Sequence, residues 1–313
     1  MKHTISITLT IVLFFIAAQI FGLFLVGKDM NVGKAETGEI TTFHNDTAVG
    51  ARPEISGSAS LVYILVSVIV GTIILLIFAR FRKQTLWKVW YFFAVWMAIS
   101  ISIGVFTKPW IAIAIAAVLA LAKLFIPNPI THNSTEFLIY AGITVLIVPI
   151  FNAWWALLLL IAFSLYDAYA VWKSAHMIKL AKFQMESKIF AGFFIPYSRK
   201  KESLEIRKTN SGKEQGKRLS ERRTAKKDEE NSNAILGGGD IALPMIFAGA
   251  VMEQLVRSGL SLKAAFFQAS IISFFSAAAL LILMLKSEKG KFYPAMPFIT
   301  AGCILGAIIV LII

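Results

Sequence analysis

The chain has 313 residues, of which 57% are apolar and only 16% are charged, whereas about 25% of a typical soluble protein is charged. A water-soluble globule of this length could not bury so much apolar surface. A net charge of +13 would indicate nucleic-acid binding in a soluble protein, but here it is explained by basic loops retained on the cytoplasmic side of a membrane, so no nucleic-acid partner is expected. The single cysteine excludes a disulfide framework and a cysteine-rich metal site.

Nine apolar segments are predicted as transmembrane helices, because continuous apolar runs of about 20 residues cross the hydrocarbon layer and satisfy their own backbone groups. The first has the basic flank of a signal peptide, but its apolar stretch is too long for one, and it is predicted to be a retained anchor. The segments cover residues 5–26, 61–79, 89–106, 109–126, 137–151, 153–172, 235–255, 264–285 and 294–313. The sequence therefore predicts an all-α, multi-pass membrane protein, with six helices in residues 1–172 and three in 235–313.

The basic residues predict the orientation. With the N-terminus inside, 25 of the 31 lysines and arginines flank the inner ends of the segments. Sixteen of these lie in the one long loop, 173–234, which is therefore predicted to be cytoplasmic.

The loop 173–234 has two predicted parts. In residues 176–195, apolar and basic side chains alternate at helical spacing, which indicates an amphipathic helix on the membrane surface. Residues 199–230 contain 12 basic and 7 acidic side chains and no aromatic one, which predicts disorder.

Carboxylates give the strongest indication of chemistry. Of the 18 in the chain, only Asp167, Asp240 and Glu253 lie inside apolar segments. Glu253 precedes Arg257 by four residues, which predicts a helical ion pair. Asp167 and Asp240 have no basic neighbour at their depth in their own helices, and an ionisable group within a membrane costs at least about 2.5 kcal/mol on insertion scales, so both are functional candidates.

The two aspartates are predicted to lie at similar depths, roughly 7–8 Å inside the cytoplasmic boundary at 1.5 Å per helical residue. Two facing carboxyl groups would share a proton, which allows one to deprotonate water and the other to donate to a substrate oxygen. Three glycines precede Asp240 and predict close backbone approach or an unwound turn. Pro244 is predicted to kink the start of segment seven, and Tyr166 brings a hydroxyl to the depth of Asp167.

Three motifs resemble the YD, GxGD and PAL motifs of the presenilin and signal peptide peptidase family. They consist of Tyr166 and Asp167 in segment six; Gly237, Gly238, Gly239 and Asp240 in segment seven; and Pro294, Ala295, Met296 and Pro297 in segment nine. The order of the motifs, the nine segments and the basic loop also match, so the resemblance covers nearly the whole chain. Met296 stands where the family has leucine, but the two volumes are nearly equal and packing is expected to survive. In its small size, the chain resembles archaeal members of this family.

The resemblance implies an intramembrane aspartyl protease that hydrolyses peptide bonds within transmembrane segments of other proteins. Asp167 and Asp240 would be the catalytic pair, and the residues of the other motif positions would shape the active site. The family needs no metal or organic cofactor. The resemblance also implies that an unwound substrate pairs with an exposed edge within 231–236. The expected partners are transmembrane substrates and the bilayer of the cell membrane, and homo-oligomerisation is left open.

Two other functions use the same residues. Prepilin peptidases also carry a GxGD motif and two aspartates, but their aspartates lie at the cytosolic surface and they need no paired prolines at a ninth helix. A transporter or channel could use Asp167 and Asp240 to relay protons or bind a cation, but the chain shows no internal repeat. A purely structural role is disfavoured because no basic partner explains the two aspartates.

Overall fold

The computed structural model describes residues 5–34, 39–81, 84–126, 128–173, 191–197, 232–288 and 293–313. These residues form nine α-helices and two antiparallel sheets of two strands each. The helices are α1 (Ile5–Asp29), α2 (Ser58–Arg80), α3 (Gln84–Gly104), α4 (Pro109–Phe125), α5 (Pro129–Ile147), α6 (Ala153–Trp172), α7 (Gly238–Arg257), α8 (Leu262–Lys286) and α9 (Met296–Ile312). The strands are β1 (Met30–Lys34), β2 (Ile40–His44), β3 (Gly192–Tyr197) and β4 (Ser232–Gly237).

Each of the nine predicted membrane segments coincides with one of these helices, so the predicted all-α membrane architecture is confirmed. Seven of the described helices are long and apolar enough to cross a bilayer. The other two, α4 and α9, are apolar helices of 17 residues each, which is the lower end of the length that spans the hydrocarbon layer.

The largest boundary error concerns the fifth segment, which was predicted over 137–151. The helix α5 begins at Pro129 and ends at Ile147. Its first turns are polar, and Asn133 and Glu136 are nevertheless buried, because other elements supply their hydrogen-bonding partners. The seventh segment was predicted from residue 235, but β4 runs to Gly237 and α7 begins only at Gly238.

The loop 173–234 differs from its prediction where it is described. The predicted surface helix over 176–195 ends in β3, since residues 192–195 are extended and paired with β4. The remainder of that helix and the predicted disordered segment 199–230 lie outside the described residues.

The helix α7 lies at the centre of the bundle. It packs against α1, α5, α6, α8 and α9, and side chains along its length, including Ile241, Met245 and Met252, are fully buried. The approach of α1 is close, because a Cβ atom on Gly22 would overlap the sulfur of Met245. The position of α7 is therefore determined by contacts on all its sides.

The two small sheets lie at opposite ends of α7. The β1–β2 hairpin follows α1 and reaches the last turns of α7, where Thr42 contacts Glu253. The β3–β4 sheet packs against α1, α5 and the beginning of α7, and β4 leads directly into α7. We call this second end of the bundle the aspartate end, because it holds Asp167 and Asp240.

Candidate active site

Asp167 and Asp240 lie on helices that pack against each other at the aspartate end. Asp167 is five residues before Trp172, the last residue of α6, and Asp240 is in the first turn of α7. Both residues are partly buried, and their carboxyl groups are close enough for their charges to interact. The structure therefore brings together the two aspartates that the sequence singled out.

The beginning of α9 contacts one of these aspartates directly. The backbone N–H of Met296 donates a hydrogen bond of 3.1 Å to Oδ2 of Asp167. Pro297 occupies the first turn of α9, where its fixed φ angle suits the helix and its missing N–H is not needed. Pro294 and Met296 are buried, so the Pro-Ala-Met-Pro segment is packed beside Asp167.

The three glycines before Asp240 occupy different surroundings. A Cβ atom on Gly238 would lie 2.7 Å from the hydroxyl oxygen of Tyr140, so this position leaves no room for a side chain. A Cβ atom on Gly237 would lie 3.2 Å from Oδ2 of Asp240, whereas one on Gly239 would meet no atom within 4 Å. The predicted close approach of the backbone is therefore found at Gly238, against α5.

Pro244 lies inside α7, four residues after Asp240. Proline has no N–H, so the carbonyl of Asp240 receives no hydrogen bond from the usual helical partner. The next carbonyl, that of Ile241, accepts a hydrogen bond of 2.8 Å from the side-chain amide of Gln19 on α1. Gln19 is fully buried and was not identified from the sequence, although an amide in the middle of an apolar segment is a signal that could have found it.

Tyr166 does not share the environment of its neighbour. Its side chain is 56% exposed, whereas Asp167 is partly buried. Among the described residues, no hydrogen bond joins the Tyr166 hydroxyl to Asp167 or Asp240. The predicted place of this hydroxyl beside the aspartates therefore stays a prediction.

The β3–β4 sheet ends beside Asp240, and α5 holds it. The side chain of Asn133 donates to the carbonyl of Phe194 at 2.8 Å and accepts from the N–H of the same residue at 2.9 Å. Nε2 of His132 lies 2.8 Å from the carbonyl oxygen of Gly192. Phe193, which lies between Gly192 and Phe194 in β3, is fully buried and packs on the rings of Phe14, Phe137 and Tyr140.

The bonds to Asn133 determine which backbone groups of β4 are free. Directly opposite residues of an antiparallel pair either both bond each other's backbone or both point their N–H and C=O away from the partner strand. Phe194 pairs with Ile235, and the Phe194 groups point to Asn133. The N–H and C=O of Ile235 therefore point away from β3, on the edge of β4 that leads to Gly237 and Asp240. The side chain of Ile235 is 43% exposed.

A second ionisable cluster was not predicted from the sequence. Lys123 of α4 and Glu136 of α5 form an ion pair of 2.7 Å, with both side chains about 1% exposed. Lys123 also donates to Thr135 at 3.0 Å and lies 3.3 Å from Nδ1 of His132. Glu136 fell just outside the predicted fifth segment, 137–151. Its burial could not be predicted from hydropathy, because its partner Lys123 comes from another helix.

The arrangement supports acid–base chemistry by two carboxyl groups. Within the described ranges, no group of three or more His, Cys, Asp or Glu residues has the geometry of a metal site. The charges of the two aspartates interact, and the beginning of α9 provides a backbone donor to Asp167.

Comparison with known proteins agrees with this geometry. Residues 39–313 match the family model described as signal-peptide peptidase, presenilin aspartyl protease. Two solved structures of a presenilin family intramembrane aspartate protease, in space groups C222 and P2, share the fold. The first superposes with a TM-score of 0.60 at 16% identity, covering 97% of this chain and 98% of its own. The second gives a TM-score of 0.59 at 17% identity, covering 97% of each. A search of curated proteins finds no match.

Proposed function

The chain belongs to the signal-peptide peptidase and presenilin family of aspartic intramembrane endopeptidases, and we propose that Asp167 and Asp240 are its catalytic pair. The observation that carries this proposal is that α6 and α7 pack against each other with Asp167 and Asp240 at the same end, close enough for their charges to interact. The hydrogen bond from Met296 to Asp167 joins the third motif to the same site.

In the proposed mechanism the pair holds one proton. The ionised carboxylate accepts a proton from a water molecule, while the water oxygen attacks the carbonyl carbon of the peptide bond. The protonated carboxyl group donates its proton to the carbonyl oxygen. The tetrahedral intermediate collapses when the nitrogen of the leaving group takes a proton from the carboxyl group that accepted one and the C–N bond breaks. One hydroxyl group of the intermediate then becomes the new carbonyl and returns its proton to the carboxylate that donated one, so the pair again holds one proton.

The remaining motif residues are proposed to shape this site. Gly238 allows α7 to begin against Tyr140, and the Pro-Ala-Met-Pro segment fixes the first N–H groups of α9 beside Asp167. Met296 is 4% exposed and takes the volume that leucine takes in the family. Tyr166 is proposed to act from the exposed side of α6, where an incoming helix would meet it.

The proposed substrates are transmembrane helices of other membrane proteins. A peptide bond inside a helix has its carbonyl hydrogen-bonded and its backbone enclosed, so the helix must unwind before hydrolysis. An unwound segment needs partners for its freed backbone groups, because unpaired polar groups are costly in a membrane. The N–H and C=O of Ile235, which point away from β3, offer such partners next to Asp240, in the manner of strand addition.

The protein is a multi-pass membrane protein, and we infer that it lies in the cell membrane with its N-terminus and the loop 173–234 in the cytoplasm. The support is the position of 25 of its 31 basic residues at the inner ends of the segments. In this orientation the aspartate end faces the cytoplasm.

The test uses purified protein in detergent, a transmembrane peptide and mass spectrometry of the products. Asp167→Asn and Asp240→Asn keep the shape of each side chain and remove its acid–base function. Each alone is expected to lower the cleavage rate at least about 1,000-fold, because general acid and general base catalysis are both lost when a shared-proton pair is broken. Asp46→Asn, at an exposed aspartate of the opposite end, is the matched control and should cleave normally. A single active-site variant with near-normal turnover would contradict the proposal.

A further inference from the structure

The outer edge of β3 is occupied by side chains of α5. Asn133 binds both backbone groups of Phe194, and His132 lies on the carbonyl of Gly192. Residues 192 and 194 direct their backbone groups to the same edge of a strand. The row of α5 side chains therefore takes the place that a third strand would have on this side of the sheet.

This contact is built into the fold. Asn133 is 8% exposed, and its amide makes the two bonds that a neighbouring strand would make. An open strand edge is a template for any extended chain. With the β3 edge occupied by α5, the edge of this sheet that has no strand beside it among the described residues is that of β4, next to Asp240.

The choice of edge determines whether a bound chain can react. Strands in a sheet are about 4.8 Å apart, so a chain on the outer edge of β3 would lie roughly 10 Å from β4. A chain on the free edge of β4 lies one strand spacing away, beside Gly237 and Asp240. Occupation of the β3 edge thus separates productive from unproductive pairing.

We propose that Asn133, assisted by His132, is a positioning residue: it closes the β3 edge and fixes β3, and through β3 it sets the register of β4 against the aspartates. The proposal rests on the proposed function, because it concerns where an unwound substrate pairs. A slip of one residue moves a strand by about 3.3 Å, so the register decides which peptide bond reaches the catalytic pair.

The first test measures which bonds are cut. Asn133→Ala and Asn133→Leu both remove the two bonds to Phe194, and leucine keeps the number and branching of the side-chain heavy atoms of asparagine. Both variants are expected to raise KM about tenfold, as the loss of two hydrogen bonds implies. They should also reduce the fraction of product cut at the main site at least twofold, with new products one or two residues away. The product ratio does not depend on the fraction of folded enzyme, so a merely structural role would leave it unchanged.

The matched control is Asn128→Ala. Asn128 also lies at the start of α5, where its side chain is exposed and accepts a hydrogen bond of 3.0 Å from the N–H of Ile130, with no hydrogen bond to β3 among the described residues. This variant should keep the wild-type product ratio. Unchanged KM and product ratio in both Asn133 variants would overturn the inference while leaving the protease assignment intact. Failure of the wild-type protein to cleave would instead contradict the proposed function.

A second test needs no variant, and it decides the question if the Asn133 variants do not fold. In hydrogen exchange of the wild-type protein, resolved to single amides by fragmentation, the Phe194 amide should be protected by Asn133. The Ile235 amide should exchange at least tenfold faster, and should become protected when a transition-state peptide inhibitor binds. Fast exchange at Phe194 would overturn the inference.

Discussion

Gly238 occupies the x position of the GxGD motif, and of the three glycines before Asp240 it is the one at which the structure leaves no room for a side chain. A Cβ atom on Gly238 would lie 2.7 Å from the hydroxyl oxygen and 2.8 Å from a ring carbon of Tyr140. Gly239 has no heavy atom within 4 Å of the same position. Because both glycines lie in the first turn of α7, helix propensity affects them alike, and only the steric term separates them.

We therefore predict opposite outcomes for the two alanine variants. Gly238→Ala should lower kcat/KM at least about tenfold, because overpacking in a dense interior costs about 1–3 kcal/mol and here displaces the helix that carries Asp240. Gly239→Ala should stay within about threefold of the wild type. Both are measured with the same transmembrane peptide, and equal loss of activity in the two variants would show that the glycines act through flexibility and not through space.

Residues that act through their own chemistry were predictable from the sequence, whereas residues that act through distant partners were not. Asp167, Asp240 and Glu253 were identified because a carboxylate in an apolar run needs an explanation. Glu253 does pair with Arg257, at 2.5 Å. Asn133 was not identified, because its partner is the backbone of Phe194, which is 61 residues away.

At the level of elements, α5 shows why its boundary could not be predicted. Its first two turns would be too polar to enter a membrane alone. They are buried because Lys123 of α4 neutralises Glu136 and because Asn133 pairs with β3. Hydropathy is a property of one segment, so it cannot include this compensation between segments. The strands β1, β2 and β3 were not predicted, since each has only five or six residues, whereas β4 overlaps the edge that the resemblance implied within 231–236.

The buried ion pair of α4 and α5 gives a prediction about stability. Lys123→Met leaves Glu136 without its main partner at about 1% exposure, and should lower the free energy of unfolding by about 3–5 kcal/mol. The double variant Lys123→Met/Glu136→Leu should recover most of this loss, since an apolar pair needs no compensating charge. Unfolding is followed by circular dichroism in mixed detergent micelles. A double variant as unstable as the single one would mean that the Glu136 charge is not the cause.

The β1–β2 hairpin connects the ends of α1 and α7 through His44. Nδ1 of His44 is 2.7 Å from Asp29, and Nε2 is 3.5 Å from Glu253. Arg52 binds Asp29 at 2.7 Å, and Arg257 binds Glu253. Burial lowers the pKa of His44, but hydrogen bonds and charges from Asp29 and Glu253 together outweigh it and raise the pKa above 6.5.

A raised pKa makes stability depend on pH in a known direction. The folded protein holds the His44 proton more tightly than the unfolded chain, so this contribution is fully present below about pH 6.5 and disappears as the pH rises through the raised pKa. The Tm of the wild type should therefore fall between pH 6 and pH 9 by more than the Tm of His44→Gln, which cannot be protonated. Parallel curves for the two proteins would contradict a role of this proton in stability.

For the whole molecule, the packing of α7 brings a membrane-embedded reaction to one end of the bundle. The proposed hydrolysis needs water beside Asp167 and Asp240, which lie in the membrane-spanning helices α6 and α7. At the aspartate end, β3 and β4 lie between α6 and α7 in the chain and the N–H and C=O of Ile235 point away from β3, so we expect water to enter there. The sequence predicted Asp167 and Asp240 at similar depths, and the resemblance implied a strand edge within 231–236, but the pairing of β4 with β3 was not predicted.

Water access and orientation can be tested together with single cysteines. Cys303, which is buried, is first replaced by serine. Ile235 and Ile282 are 43% and 51% exposed, but Ile235 lies in β4 and Ile282 lies within the apolar span of α8, where exposure is to lipid. A charged, impermeant thiol reagent should label Ile235→Cys at least tenfold faster than Ile282→Cys, since thiolates react in water.

Labelling of Ile235→Cys should occur in inverted vesicles and not in intact cells, together with that of Ser211→Cys in the basic loop. A transition-state inhibitor should slow it. If Ile235→Cys is as unreactive as Ile282→Cys in both preparations, no water reaches β4 and the catalytic water must enter elsewhere. If Ile235→Cys is labelled only in intact cells, the orientation inferred from the basic residues is reversed.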